Sequence, residues 1–235
     1  ELLADLDEPN SYPRELSWLS FNARVLQEAQ DKEVPLIQRV RYLGIFSNNL
    51  DEFFRVRVAE VRRLISLSSG KRHQRAEKLL AAIQYRVLLL QQDFEVIYAN
   101  LLRELARKGV YLINETQLQD DQLAFVEAFF HSKVLPELEP ILLRDDQPIP
   151  NLADESLYLA VDIDTTSGPQ YALLEVPTNR LGRFIEIPGR KGGKGRVFIV
   201  LDNIIRACLP QVFHGVFEID AVSAYCFKFS RDAEL

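Results

Sequence analysis

"FSNNLDEFFRVRV", residues 46–58, lies in the middle of the longest apolar-periodic run of the chain. Leu36, Val40, Leu43, Phe46, Leu50, Phe54, Val58, Val61 and Ile65 follow one another at three- and four-residue steps, the stripe of an amphipathic helix. No proline interrupts the run and Gly44 is its only glycine, so the spacing predicts a single rod, roughly 30 residues and about 45 Å long. Two adjacent asparagines are out of place there. Asn competes with the helical backbone through its own side chain, and each costs a few tenths of a kcal/mol against a better helix former. Asn48 projects away from the stripe, whereas Asn49 falls at its margin beside Tyr42, Val56 and Glu60.

Outward from this rod the pattern is an all-helical first half. "RELSWLSFNARVLQEAQ", residues 14–30, carries Leu16, Leu19, Ala23 and Leu26 on one face, with Pro13 placed where a helix start tolerates it. "SLSSGKRHQ", residues 66–74, reads as a polar loop. A third helix follows, with Leu80, Ile83, Val87, Leu90, Phe94, Ile97, Leu101 and Leu105 in register, and it stops at "ARKGV" with Gly109 past its end. Three long helices with short connections make an up-down bundle, expected to span residues 1–107.

From residue 108 the grammar changes. "LQDDQLAFVEAFFHSKVLPEL" is one more helix, and "PILLRDDQPIPNLADES" a proline-punctuated loop. "LYLAVDID", "QYALLEVP", "RFIEIP" and "RVFIVLD" read as strands, "NIIRACLPQVF" as a short helix and "AVSAYCFKFS" as a last strand. Residues 108–235 are therefore expected to be an α+β domain. It is read as truncated, because the chain opens on Glu1 without any Met and stops directly after a strand-like run.

Composition narrows the function classes. With 47% hydrophobic and 26% charged residues the chain can bury substantial cores. A net charge of −6 argues against a general nucleic-acid binder. Cys208 and Cys226 are too few for a disulfide framework and suit a reducing compartment. No transmembrane run or signal peptide is read, and the acidic opening "ELLADLDEPN" fits neither. The expected address is the cytoplasm, with peripheral membrane association allowed.

Most candidate chemistry fails on spacing. "GRKGGKGR", residues 189–196, lacks the four-residue gap and the Ser or Thr of a phosphate-binding Walker loop, and a flexible hairpin accounts for it better. His73, His131 and His214 are scattered, with no partner at metal-ligand spacing. Arg39, Arg41, Arg55, Arg57, Arg62 and Arg63 gather on the second helix or at its end. They either solvate the rod, with Asp51 and Arg55 pairing at i,i+4, or recognise phosphate. Asn49 likewise has two readings: a hydrogen bond to another helix of the bundle, or a donor–acceptor amide turned to a ligand.

Taken together, "ELSWLSFNARVLQEA" (residues 15–29) and "YLGIFSNNLDEFFRVR" (residues 42–57) closely resemble the amino-terminal domain of type 1 polyphosphate kinases. "YALLEVP", "RFIEIP", "LDNIIRACL" and "SAYCFKFSRDAEL" look like the head domain of that family, in the same order, while "GRKGGKGR" and "SLSSGKRHQ" look like its variable loops. The resemblance implies the amino-terminal part of a four-domain, homo-oligomeric enzyme, a homodimer or homotetramer. Such an enzyme reversibly moves the terminal phosphate of ATP onto polyphosphate through a phosphohistidine, with Mg²⁺ accompanying the nucleotide. It also implies that the catalytic histidines lie in the enzyme's own carboxy-terminal domains. This segment would then hold no catalytic residue, no metal site and no activity of its own. One family ligand carries over: the second Asn of the motif, Asn49, is implied to contact ATP on its base side. A reading from another class is a stand-alone helical interaction module that docks an acidic partner or RNA; tight, salt-dependent binding would distinguish it.

Overall fold

The computed structural model describes residues 12–144, 146–148, 150–189 and 193–233. The acidic opening stretch and residues 190–192 of the glycine-rich segment lie outside them. The chain divides into two compact units: one closes at Leu105 and takes in the residues from Arg231 on, and the other runs Ala106–Ser230.

The first unit is the expected bundle of three long helical rods. Helix α1 (Arg14–Gln30) leads through a short turn into α2 (Leu36–Phe53). Helix α2 continues into a π-helical turn (Phe54–Val58), then α3 (Ala59–Leu67), and α4 (Gly70–Arg107) closes the bundle. The rods alternate in direction, because Ala29 at the end of α1 lies against Arg39 and Arg39 against Glu104 near the end of α4. The core is aliphatic and aromatic. Leu16, Leu19, Leu26, Leu43, Phe46, Ile83, Leu90 and Leu101 are buried in it, and Trp18 stacks on Phe53 with ring centroids 4.7 Å apart.

Three local expectations need correction. The second rod is not uniformly α-helical. Its buried apolar positions run Leu43, Phe46, Phe53, Val58, Ala59 and Val61, and the five-residue step from Phe53 to Val58 is the extra residue that a π turn inserts. Phe54, expected on the stripe, is therefore only half-buried, and Phe53 takes its place. Val40 is exposed while its neighbour Arg39 is buried, with only 4% of its surface accessible. The polar stretch 66–74 is not a loop either: only Ser68 and Ser69 separate α3 from α4. His73 helps to close that corner, its Nδ1 lying 2.9 Å from the Ile65 carbonyl at the end of α3.

The second unit carries two sheets. Strand β1 (Val110–Ile113) pairs in parallel with β6 (Arg196–Val200), which pairs antiparallel with β5 (Phe184–Ile187). The larger sheet is antiparallel, in the order β2 (Ile141–Leu143), β4 (Gly168–Glu175), β3 (Leu157–Thr165), β7 (Ile219–Lys228). Helix α5 (Asp120–Phe129) runs on through a second π turn and a 3₁₀ turn to Glu137. A single turn α6 (Thr178–Leu181) precedes β5, and α7 (Leu201–Ala207) and α8 (Leu209–Val212) follow β6.

Strand β1 was missed in the sequence, and β2 lies inside the stretch expected to be a loop; both are short, and β2 is an edge strand. The glycine-rich segment does join two antiparallel strands. Gly195 has a further role: at φ +135 it lies so near Gly109 that an added Cβ would meet the Gly109 carbonyl oxygen at 2.5 Å. The Arg196 N–H donates to that same carbonyl, so the glycine lets the parallel pair start.

Two stability predictions follow from these cores. Arg39 donates to the Ala29 carbonyl at 2.9 Å and to Glu104 at 2.8 Å from inside the bundle. Arg39→Ala removes both of these buried contacts and is expected to cost about 3 kcal/mol in urea unfolding. In the second unit, burial, helped by the charge of Glu127, pushes the Cys208 thiol up to about 11. The unfolded chain ionises this thiol near its ordinary 9.0 while the folded one holds it neutral to about 11, so stability is lost as pH rises across that window. Cys208→Ala should flatten this part of the pH–stability curve, measured by denaturant midpoint between pH 8 and 11.

Candidate functional site

The paired asparagines lie where α2 crosses α1. Asn48 is exposed and Asn49 half-buried. The Asn49 amide donates through Nδ2 to Oδ1 of Asn22 on α1, at 3.1 Å. Asn22 is itself fully buried and donates through Nδ2 to the backbone carbonyl of Phe46, also at 3.1 Å. The chain of bonds runs from one helix to the other and back, and it fixes the Asn49 amide plane. Only one N–H of Asn49 is engaged in it, so the carbonyl oxygen and second N–H keep their donor–acceptor character.

Of the two sequence readings of Asn49, the bond to another helix is thus present in the structure. Half-exposure leaves the other compatible with it, because the side chain is held without being enclosed. Asn22 was missed. Its signal was legible: it stands three residues after Leu19 and four before Leu26, a polar residue on the apolar face where Ala23 was chosen instead. Ala23 is only half-buried.

The arginines do not act as one group. Arg39 belongs to the core, which corrects its place among the phosphate candidates. Arg57 pairs with Glu60 at 3.2 Å, and the same carboxylate takes Arg14 at 3.0 Å. Arg55 reaches Glu52 at 3.8 Å, and its backbone carbonyl, within the π turn, accepts from the Ala233 N–H at 3.1 Å. Arg41, Arg62 and Arg63 are exposed.

His131 and His214 are exposed and lie apart in the second unit, and His73 is taken up by Ile65 and by Glu77 at 3.3 Å. Among the described residues, no three His, Cys, Asp or Glu side chains are grouped so as to hold a metal ion. On the glycine-rich hairpin, Arg196 forks onto both carboxylate oxygens of Glu186, at 2.8 and 2.7 Å, which spends the charge nearest a would-be anion. No helix of the described residues is long and apolar enough to cross a membrane.

The chain is a helical bundle with an asparagine pair bonded across two of its helices, followed by a two-sheet α+β unit, and comparison with known proteins gives the family. Residues 12–113 match the family model of the polyphosphate kinase N-terminal domain, and residues 121–235 that of the polyphosphate kinase middle domain. The chain belongs to the polyphosphate kinase family. It is 49% identical over 223 residues to a polyphosphate kinase of Vibrio cholerae and 45% identical over 223 residues to that of Escherichia coli strain K12. Each alignment covers 94% of this chain and 32% of the relative. The crystal structure of polyphosphate kinase from Porphyromonas gingivalis superposes with a TM-score of 0.83 at 33% identity, covering 97% of this chain and 34% of that one. The chain thus spans about a third of the length of the relatives it matches.

The geometry separates the two asparagines energetically. Asn22→Leu removes a buried amide and both of its bonds to α2, so it is expected to lower stability by about 2 kcal/mol. Asn49→Ala loses one bond at a wetter position and should cost less than about 1 kcal/mol. Urea unfolding of both variants checks the difference.

Proposed function

We propose that this chain is the amino-terminal and middle part of an enzyme that reversibly transfers the terminal phosphate of ATP to polyphosphate, and that Asn49 reads the base side of the nucleotide. The observation that carries the reading is the Asn22–Asn49 crossing. An amide pre-set by a buried partner offers hydrogen bonds to a base without first losing rotamer freedom, which is what a positioning contact requires. Phosphoryl transfer depends on positioning and charge neutralisation more than on covalent work by the protein. A rigid helical wall beside the nucleotide is therefore a useful contribution from a domain without a nucleophile.

In this reading residues 1–107 form the nucleotide-facing helical domain and residues 108–235 the head domain. The phosphohistidine and the phosphate-binding cations lie in carboxy-terminal catalytic domains, as the family resemblance implies. Mg²⁺ enters with the nucleotide; among the described residues no three His, Cys, Asp or Glu side chains are grouped to hold it. The enzyme works as a homo-oligomer in the cytoplasm.

The test uses the complete enzyme. Asn49→Ala should raise KM for ATP by about threefold to tenfold, the worth of one hydrogen bond, with a smaller change in kcat. An unaltered KM in a folded variant rejects the role. The segment alone, assayed with ATP and polyphosphate, is expected to show no phosphoryl transfer.

A further inference from the structure

A cavity of about 670 Å³ opens at the corner between α3 and α4, lined by Glu60, Arg63, Ser68, Ser69 and Arg72 over a floor of leucine. It is wide and open to solvent rather than enclosed. Around it the charge of the molecule inverts. The whole chain is at −6, yet along the stretch from Arg55 to Lys78 the sequence holds eight Arg and Lys against two acidic residues, Glu60 and Glu77. Glu60 is shared by two guanidinium groups, Arg14 and Arg57.

Three features narrow the ligand. Planar guanidinium groups from both sides of the corner suit phosphate oxygens, whereas the Ser68 hydroxyl is already given to the Leu64 carbonyl. The cations continue beyond the cavity: Lys71, Arg72, Arg75 and Lys78 are exposed along the first turns of α4, spread over about 10 Å. That is a rail for a chain of charges rather than a socket for a single one. No aromatic ring lines the cavity, so bases would find no stacking platform there.

We propose that the α3–α4 corner, with Arg63 and Arg72 as its contacts, is a docking subsite for a linear polyphosphate chain. The inference rests on the polyphosphate-transfer reading above and places a second contact for that substrate away from Asn49, on the same bundle. It holds the chain by charge alone and takes no part in the chemistry.

The test is fluorescence polarisation of end-labelled inorganic polyphosphate with the 235-residue chain at two ionic strengths. Arg63→Ala/Arg72→Ala should weaken binding about tenfold and flatten the salt dependence by roughly one unit of slope per guanidinium removed. Arg24→Ala/Arg103→Ala, equally exposed but elsewhere on the bundle, should stay within about twofold of the unaltered chain. Circular dichroism confirms that each variant is folded, and Arg63→Lys/Arg72→Lys should recover part of the loss. The proposal is overturned if the first double variant binds as the unaltered chain does, if both double variants lose equally, or if single-stranded RNA of matched charge binds as tightly. A raised ATP KM in Asn49→Ala alongside unaltered polyphosphate binding by Arg63→Ala/Arg72→Ala would remove this subsite while leaving the enzyme reading in place.

Discussion

The bundle turns on one buried amide. Asn22 sits with no accessible surface between α1 and α2, and both of its bonds cross to the other helix, one to a backbone carbonyl and one to a side chain. An apolar residue there would pack, but it would leave the register of the two helices to side-chain shape alone. A fully satisfied polar pair specifies one relative position, because sliding by a turn would strand a donor and an acceptor in a dry interior. The orientation of Asn49 is a by-product of that constraint. What looks in one dimension like a tolerated flaw in a helix is, in three, the outer end of an interhelical clamp.

A second constraint works along the rod. The π turn at Phe54–Val58 adds one residue, so that Phe53 can stack on Trp18 above it while Val58 and Val61 still reach the core below. Without the insertion the stripe would precess and Phe54 would compete for the Trp18 contact. Such turns free a backbone carbonyl, and here the Arg55 carbonyl is taken by the N–H of Ala233. Arg39 and Glu104 clamp the other end of the rod. The rod is therefore held by polar groups at its start and at its π turn, and packed along its length by aliphatic side chains and aromatic rings.

Much of this was legible in the sequence. Helix α1, the limits of the long rod, the stop of α4 at Arg107 and five strands of the second unit follow from period, proline and glycine alone. The misses share a cause. Residues 66–74 are polar and contain Gly70, which reads as a loop, yet every residue after Gly70 tolerates a helix, and His73 ties the corner to the end of α3. Strands β1 and β2 are too short to show a period, and they exist because β6 and β4 offer edges to pair with. Arg39 was read with the other arginines as solvating the rod or recognising phosphate, because charge is the default on a helix surface; the Ala29 carbonyl and the distant carboxylate of Glu104 make its burial tolerable.

The sequence by itself determined the class of the fold, because amphipathic periods and turn residues are local, and it carried the motif by which the family is known. It also marked Asn49 as a residue needing a reason. The tertiary structure alone decided which reason operates within the chain: a half-buried amide held by Asn22, twenty-seven positions away. It alone sorted the arginines into core, ion pair and exposed corner. Burial and partnership are properties of surfaces brought together by folding, and no spacing along one helix encodes what the neighbouring helix presents.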